Sequence, residues 1–209
     1  MAELSGDPSQ CDLRELYVQL RELIGPVGHW WPMRRDRIEQ AIGAILVQRT
    51  KWENAQVAIE NLRTEGLIDA HALSKTPSPR LAELIRSAGF AKAKSRALPE
   101  LAAWMREHEK HAEDWPDDEL RSSLLSLYLV GPETADVIIL YSYRRARFIA
   151  DEYAWRLLTS RGFDIPRRYD GILKALAPAW EAANMTATEA AEFHGLIVEY
   201  GKQENKRRP

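Results

Sequence analysis

Apolar residues recur three and four positions apart along most of this chain, the spacing that lines one face of an α-helix. In DLRELYVQLRELI, residues 12 to 24, Leu13, Leu16, Leu20, Leu23 and Ile24 share one stripe, and Gly25-Pro26 ends it. Residues 36 to 48 repeat the pattern with Ile38, Ile42, Ile45 and Leu46. Further helices are predicted at 53 to 63, 78 to 87, 91 to 109, 117 to 127, 132 to 143, 150 to 161, 170 to 181 and 187 to 203. Ser78 can cap the helix whose first position is Pro79, and Asp117, Asp118 and Glu119 suit the positive end of the next dipole. No stretch alternates with strand period. The pattern predicts an all-α fold of short helices with no flexible linker, so a second lobe has to be built from separated segments.

Composition changes this picture little. The 209 residues, 45% hydrophobic and 29% charged, suffice for a real core. No apolar run approaches the ~18 residues that span a bilayer, and MAELSGDPSQ carries neither a basic nor an apolar region, so a cytoplasmic protein with no membrane partner is expected. Cys11 stands alone, which excludes an internal disulfide and a multi-cysteine metal site within one chain. A net charge of −2 is no global signature of nucleic-acid binding, so such a role has to rest on local basic faces.

Three stretches carry candidate chemistry. In DELRSSLLSLYLVGPETADVIILYSY, residues 118 to 143, the turn Leu129-Val130-Gly131 joins two helices, the second opening at Pro132. The first amides of that helix lack internal partners and could cradle a phosphate, although an ordinary αα-hairpin reads the same way. Asp151 follows a short apolar run and opens an amphipathic helix; it could be a helix cap or a functional acid. In GHWWPMRRD, residues 28 to 36, Trp30 and Trp31 cannot both face one core in a regular helix, and Pro32 fits its interior poorly. At least one indole is free for another task, or the rings pack between lobes.

The order of hairpin, Gly131, Thr134-Ala135, apolar helix and then Asp151 resembles the helix-hairpin-helix DNA glycosylases of the endonuclease III superfamily. The resemblance runs from about residue 30 to residue 202. AIGAILVQRTKW, residues 41 to 52, looks like the family's early helix and following loop, whose Gln, here Gln48, enters the DNA stack where a base has left. LIRSAGFAKAKSRAL, residues 84 to 98, is similar to its Gly-to-Lys turn, and FHGLIVEYGK, residues 193 to 202, to its last helix. There are departures. Glu133 stands where bifunctional members carry the lysine that attacks the sugar, and a carboxylate forms no Schiff base. Leu129 replaces the glycine that usually begins the hairpin, and Asn205 falls where the first of four iron–sulfur cysteines would stand.

One branch lacks both the lysine and the cluster, the endonuclease-III-like 3-methyladenine DNA glycosylases, and Trp30-Trp31-Pro32 with Gln48 through Trp52 resembles it. That resemblance implies two helical lobes, 34 to 146 and 1 to 33 plus 147 to 209, with Asp151 and Trp30 meeting in the cleft between them. It implies a monofunctional enzyme without metal or other cofactor that excises alkylated purines from double-stranded DNA. Asp151 is then the catalytic carboxylate, a fixed anion beside the developing positive charge and a base for water; Trp30, Trp31, Pro32, Trp52 and Lys202 form the base pocket. Gln48, Arg49, Val130, Gly131, Glu133 and Thr134 meet DNA, with basic clusters at Arg34, Arg35, Lys92, Lys94, Arg144, Arg145 and Arg147. A monomer is expected. The chemistry is coherent, because N3-methyladenine is cationic in DNA and indole faces attract cations by about 0.5 to 2 kcal/mol. Its leaving group departs neutral, so the lack of an evident general acid among the five histidines is no obstacle. Alternatives remain: a glycosylase or abasic-site lyase for oxidised or mismatched bases using an amine such as Lys51, a DNA-binding relative without catalysis, and a helical protein-interaction module.

Overall fold

The computed structural model describes residues 6–27, 31, 36–108 and 110–207. Eleven α-helices follow in order among them: α1 Leu13–Ile24, α2 Arg37–Leu46, α3 Trp52–Thr64, α4 Ala70–Lys75, α5 Ser78–Leu84, α6 Ala91–His108, α7 Asp117–Leu125, α8 Pro132–Ser142, α9 Glu152–Ser160, α10 Tyr169–Ala183 and α11 Ala187–Arg207. The described residues hold no strand, only a lone bridge between Gly6 and Phe163. The all-α expectation is met. Contacts divide the chain into two units, Met33–Tyr143 and Met1–Pro32 with Arg144–Pro209.

The unit Met33–Tyr143 is organised around α2, which packs on α3, α6 and α8. The sequence predicts a one-sided stripe for α2, yet Ala41, Gly43 and Ala44 are buried along with Ile38, Ile42, Ile45 and Leu46. Small residues on the remaining face let neighbouring helices close over it, and such a helix belongs to the core. Two buried acids are paired here: Glu39 with Arg63 at 2.9 Å, and Asp136 of α8 with Arg121 of α7 through two bonds of 2.9 and 3.1 Å. The second pair closes the α7–α8 hairpin with a fork that fixes both helices.

In the other unit, Leu13, Leu16, Tyr17 and Leu20 of α1 pack with Phe148, Leu157, Leu158, Ile172, Leu176, Phe193 and Leu196. Arg14 staples the α10–α11 junction, donating to the carbonyls of Ala183 (2.8 Å) and Asn184 (2.9 Å) and to Glu189 Oε1 (2.6 Å). These carbonyls lie at the C-terminal end of α10, where intrahelical donors run out. Glu189 also accepts from Thr186 N at 2.8 Å while its own N–H reaches Thr186 Oγ1 at 3.2 Å, a reciprocal cap that starts α11.

Three local expectations need correction. Pro77, without a side-chain cap bond, precedes α5, and Ser78 is its first residue rather than its cap. The predicted helix 78 to 87 stops at Leu84 and gives way to a 3-10 turn, Arg86–Ala88, ended by Gly89 at φ +69°. Helix α4, capped by Asp69 whose carboxylate accepts from Ala72 N at 2.7 Å, was not foreseen; its six residues are too few to show a period.

Candidate functional site

Asp151 ends the buried run Phe148, Ile149, Ala150 and caps α9, its Oδ1 accepting from Ala154 N at 2.8 Å. The bond satisfies an amide in the first turn of α9 that has no acceptor within the helix. Its Oδ2 lies 3.8 Å from Nε2 of His194 on α11, with side chains 13% and 7% exposed respectively. The cap considered in the sequence is present, and it engages one carboxylate oxygen while the other lies beside an imidazole. His194 is a residue that sequence reasoning missed. Its signal, one histidine within the buried run Phe193 to Val198, is indistinguishable by pattern from an ordinary core histidine.

Elsewhere in this unit, Trp31 is 7% exposed, so little of its indole faces outward. Trp30, Pro32, Arg34 and Arg35 lie outside the described residues. Lys202 is exposed on α11 and pairs with Glu199 Oε1 at 2.7 Å. Beside it, Gly201 makes room for Tyr153: a Cβ there would lie 2.2 Å from Tyr153 Cδ1. Because Tyr153 is two residues past Asp151, this close approach helps set where α9 begins against α11. Arg144 is exposed, and Arg145 and Arg147 are half-buried, with Nε and Nη2 of Arg147 sequestered from solvent.

In the unit Met33–Tyr143, the hairpin keeps its tight turn despite lacking the expected glycine. Leu129 adopts φ +66°, a left-handed conformation that costs a non-glycine residue about 1 to 2 kcal/mol. Gly131 at φ −91° holds the N-cap position of α8 without a side-chain cap, and Pro132 follows as its first residue. The amides of Glu133 and Thr134 are therefore the α8 donors not used inside the helix, since Ala135 N already reaches Gly131 O at 2.9 Å. Glu133 is exposed, Thr134 half-buried, and the Val130 side chain belongs to the core at 6% exposure. The Val130 N–H donates to Leu127 O at 3.2 Å.

Gln48 is joined to this hairpin: its Nε2 donates to Leu129 O and to Thr134 Oγ1, both at 3.0 Å. The next residue, Arg49, is exposed at φ +54°, with its guanidinium carbon 5.9 Å from the centre of the Phe90 ring. Phe90 itself stands at φ +47° and is 61% exposed. Sequence reasoning missed it too. Its signal, an aromatic directly after Gly89, does not separate a surface ring from a core one by pattern. Trp52 opens α3 half-buried, and Lys51 before it is exposed. Lys92 is exposed, but Lys94 is 1% exposed and so cannot belong to a basic surface as expected. Among the described residues no group of three or more His, Cys, Asp and Glu side chains could hold a metal ion, and no helix is long and apolar enough to cross a membrane.

Comparison with known proteins adds four findings. Residues 42–196 match the family described as HhH-GPD superfamily base excision DNA repair protein. The chain is 33% identical over 196 residues, 90% of its length and 87% of the relative's, to a Methanocaldococcus jannaschii protein named as a DNA repair glycosylase. The crystal structure of H. pylori 3-methyladenine DNA glycosylase bound to 1,N6-ethenoadenine superposes with a TM-score of 0.81 and 25% identity, covering 93% of this chain and 99% of that one. A trapped endonuclease III–DNA covalent intermediate shares the fold at a TM-score of 0.70 and 19% identity, over 91% of this chain and 85% of that one.

Proposed function

Since the chain belongs to the HhH-GPD superfamily and is a DNA glycosylase, we propose that it is a monofunctional one, which hydrolyses the N-glycosidic bond of alkylated purines such as 3-methyladenine in duplex DNA and leaves an abasic site. The observation that carries this reading is the arrangement of Asp151: one oxygen held by the Ala154 amide, the other directed past that cap and 3.8 Å from His194. A methylated purine already bears positive charge, so the glycosidic bond breaks with the base leaving neutral and the sugar becoming oxocarbenium-like. Oδ2 of Asp151 stabilises that charge and accepts a proton from the water that attacks C1′. No amine is needed, in keeping with Glu133 at the position where bifunctional relatives carry a lysine. The likeness to the H. pylori 3-methyladenine glycosylase supports the substrate class.

In this reading Trp30, Trp31, Pro32, Trp52 and Lys202 line the base pocket. Trp31 is mostly buried, and indole faces attract a cationic base. The Glu133 and Thr134 amides, with that of Gly131, take a DNA phosphate, while the Val130 N–H is already engaged by Leu127 O at 3.2 Å. Gln48 fills the gap left by the flipped nucleotide, at a cost of a few kcal/mol for unstacking, and Arg49 with Phe90 offers a cationic and aromatic surface beside it.

The test is release of free bases from methylated duplex DNA, resolved by chromatography, for wild type and Asp151→Asn. Release of 3-methyladenine by wild type alone, with strand nicking only after alkali, supports the reading. If neither protein releases a methylated base, the alkyl-purine assignment fails. Nicking without alkali, abolished by Lys51→Met, replaces the monofunctional mechanism with a lyase.

A further inference from the structure

Lys94 presents a problem that the proposed chemistry leaves unanswered. It lies on α6 with its side chain enclosed, 1% exposed, and no carboxylate among the described residues is bonded to it. Its Nζ instead donates to three main-chain carbonyls: Leu46 O at 2.9 Å, Gln48 O at 2.8 Å and Ala88 O at 2.8 Å. Three acceptors match the three donors of an ammonium, whereas a neutral amine would turn its lone pair toward one of them. Burial still disfavours the charge and draws the Lys94 pKa down to about 8.

Two of the three carbonyls explain why a cation belongs there. Helix α2 ends at Leu46, so the carbonyls of Leu46 and Gln48 lie at or just beyond the negative end of its dipole, where intrahelical donors have run out. A glycine or a water molecule could terminate a helix with less desolvation. What the ammonium adds is a fixed distance: it ties the main chain before and at Gln48 to Ala88, the last residue of the 3-10 turn that precedes Gly89 and Phe90. Directly beyond Gln48 the chain reverses through Arg49 at φ +54°, and the Gln48 side chain reaches Leu129 and Thr134. The loop, the Gly89 turn and the hairpin thus meet at one residue, Gln48, whose main chain Lys94 holds.

We propose that Lys94 is a positioning residue for base flipping: its buried ammonium anchors the Gln48 backbone so that the side chain, on leaving Leu129 O and Thr134 Oγ1, is delivered into the gap in the DNA stack. This rests on the reading of the protein as a base-flipping glycosylase with Gln48 as the gap-filling residue. Lys94 touches no substrate and acts through Gln48. Its effect therefore belongs to the turnover step on duplex DNA, where a vacancy has to be filled, and not to substrates without a stack.

The experiment is a double-mutant cycle of Lys94→Met and Gln48→Ala, with Lys94→Gln as a milder variant that keeps two donors. Base release is measured on a lesion in duplex DNA and in an unpaired single strand, below the melting temperature of every variant. On duplex, Lys94→Met is expected to lower kcat about tenfold or more with KM nearly unchanged, and the double variant to fall no further than Gln48→Ala alone. Lys94→Gln should lie between, and on the single strand both Lys94 variants should stay within about twofold of wild type. Multiplying losses in the double variant, or an equal loss on both substrates, overturns the proposal and leaves Lys94 a structural residue. Failure of both Lys94 variants to fold has the same meaning. If the wild type releases no base from either substrate, the function reading itself fails; if it does, the Lys94 assignment stands or falls separately.

Discussion

Asp151 Oδ2 and His194 Nε2 are 3.8 Å apart, across the approach of α9 to α11, while the other Asp151 oxygen is bound to the amide of Ala154. One side chain therefore both starts a helix and supplies the carboxylate proposed for catalysis. The two roles separate by substitution. Asparagine caps helices as well as aspartate, so Asp151→Asn should melt within a few degrees of wild type while kcat falls by about 10² to 10³. Asp151→Ala should lose activity equally and about 1 kcal/mol of stability in addition. Thermal melts beside base-release kinetics decide it: an inactive Asp151→Asn that is also unfolded would remove the evidence for a catalytic role.

Acid should weaken the α10–α11 junction before the rest of its unit. Glu189 has its pKa drawn from 4.5 down to about 2, first by the Arg14 side chain and then by the Thr186 amide. A depressed carboxylate pKa means that the unfolded chain binds the extra proton first, so the contribution is complete above about pH 4.5 and drains away as pH falls toward 2. Glu189→Gln should be less stable than wild type at neutral pH, and the difference in Tm should shrink steadily over that window. A constant difference down to the lower limit would contradict the Arg14–Glu189 account.

Gly201→Ala should destabilise the protein although alanine is the better helix former by about 1 kcal/mol. The new Cβ would stand 2.2 Å from Tyr153 Cδ1, and either the ring or α11 would have to move. Overpacking of this kind costs about 1 to 3 kcal/mol. Urea unfolding measures it, and Tyr153→Leu in the same chain should recover part of the loss by vacating the space.

Asp136→Ala should be among the more damaging single changes in the hairpin. Asp136 is 1% exposed and receives two bonds from Arg121; truncating it removes both from a guanidinium that is itself largely enclosed. Breaking a buried pair on one side costs about 3 to 5 kcal/mol. Replacing both partners, Arg121→Met with Asp136→Leu, should cost much less. A loss in the double variant equal to the sum of those for Arg121→Met and Asp136→Leu alone would show that the pair contributes no coupling.

Much of the fold was legible in advance because its signals are local. The stripe of Leu13, Leu16 and Leu20 defines a helix from one segment alone, and the Gly131-Pro132 start of α8 and the Asp151 cap of α9 needed no distant partner. Local signals also failed in a local way: α4 has only six residues, and Ser78 lost the cap position because two prolines bracket it. Tertiary structure decided what depends on residues far apart in the chain. It placed Lys94 in the interior against carbonyls 46 to 48 positions away, tied Gln48 to a hairpin more than 80 residues downstream, and set His194 beside Asp151. Periodicity records whether a side chain is apolar and how often such residues recur. It carries no record of which main-chain oxygen will need a donor once helices from distant segments have packed together, and that need is what assigns Lys94, Gln48 and His194 their neighbours.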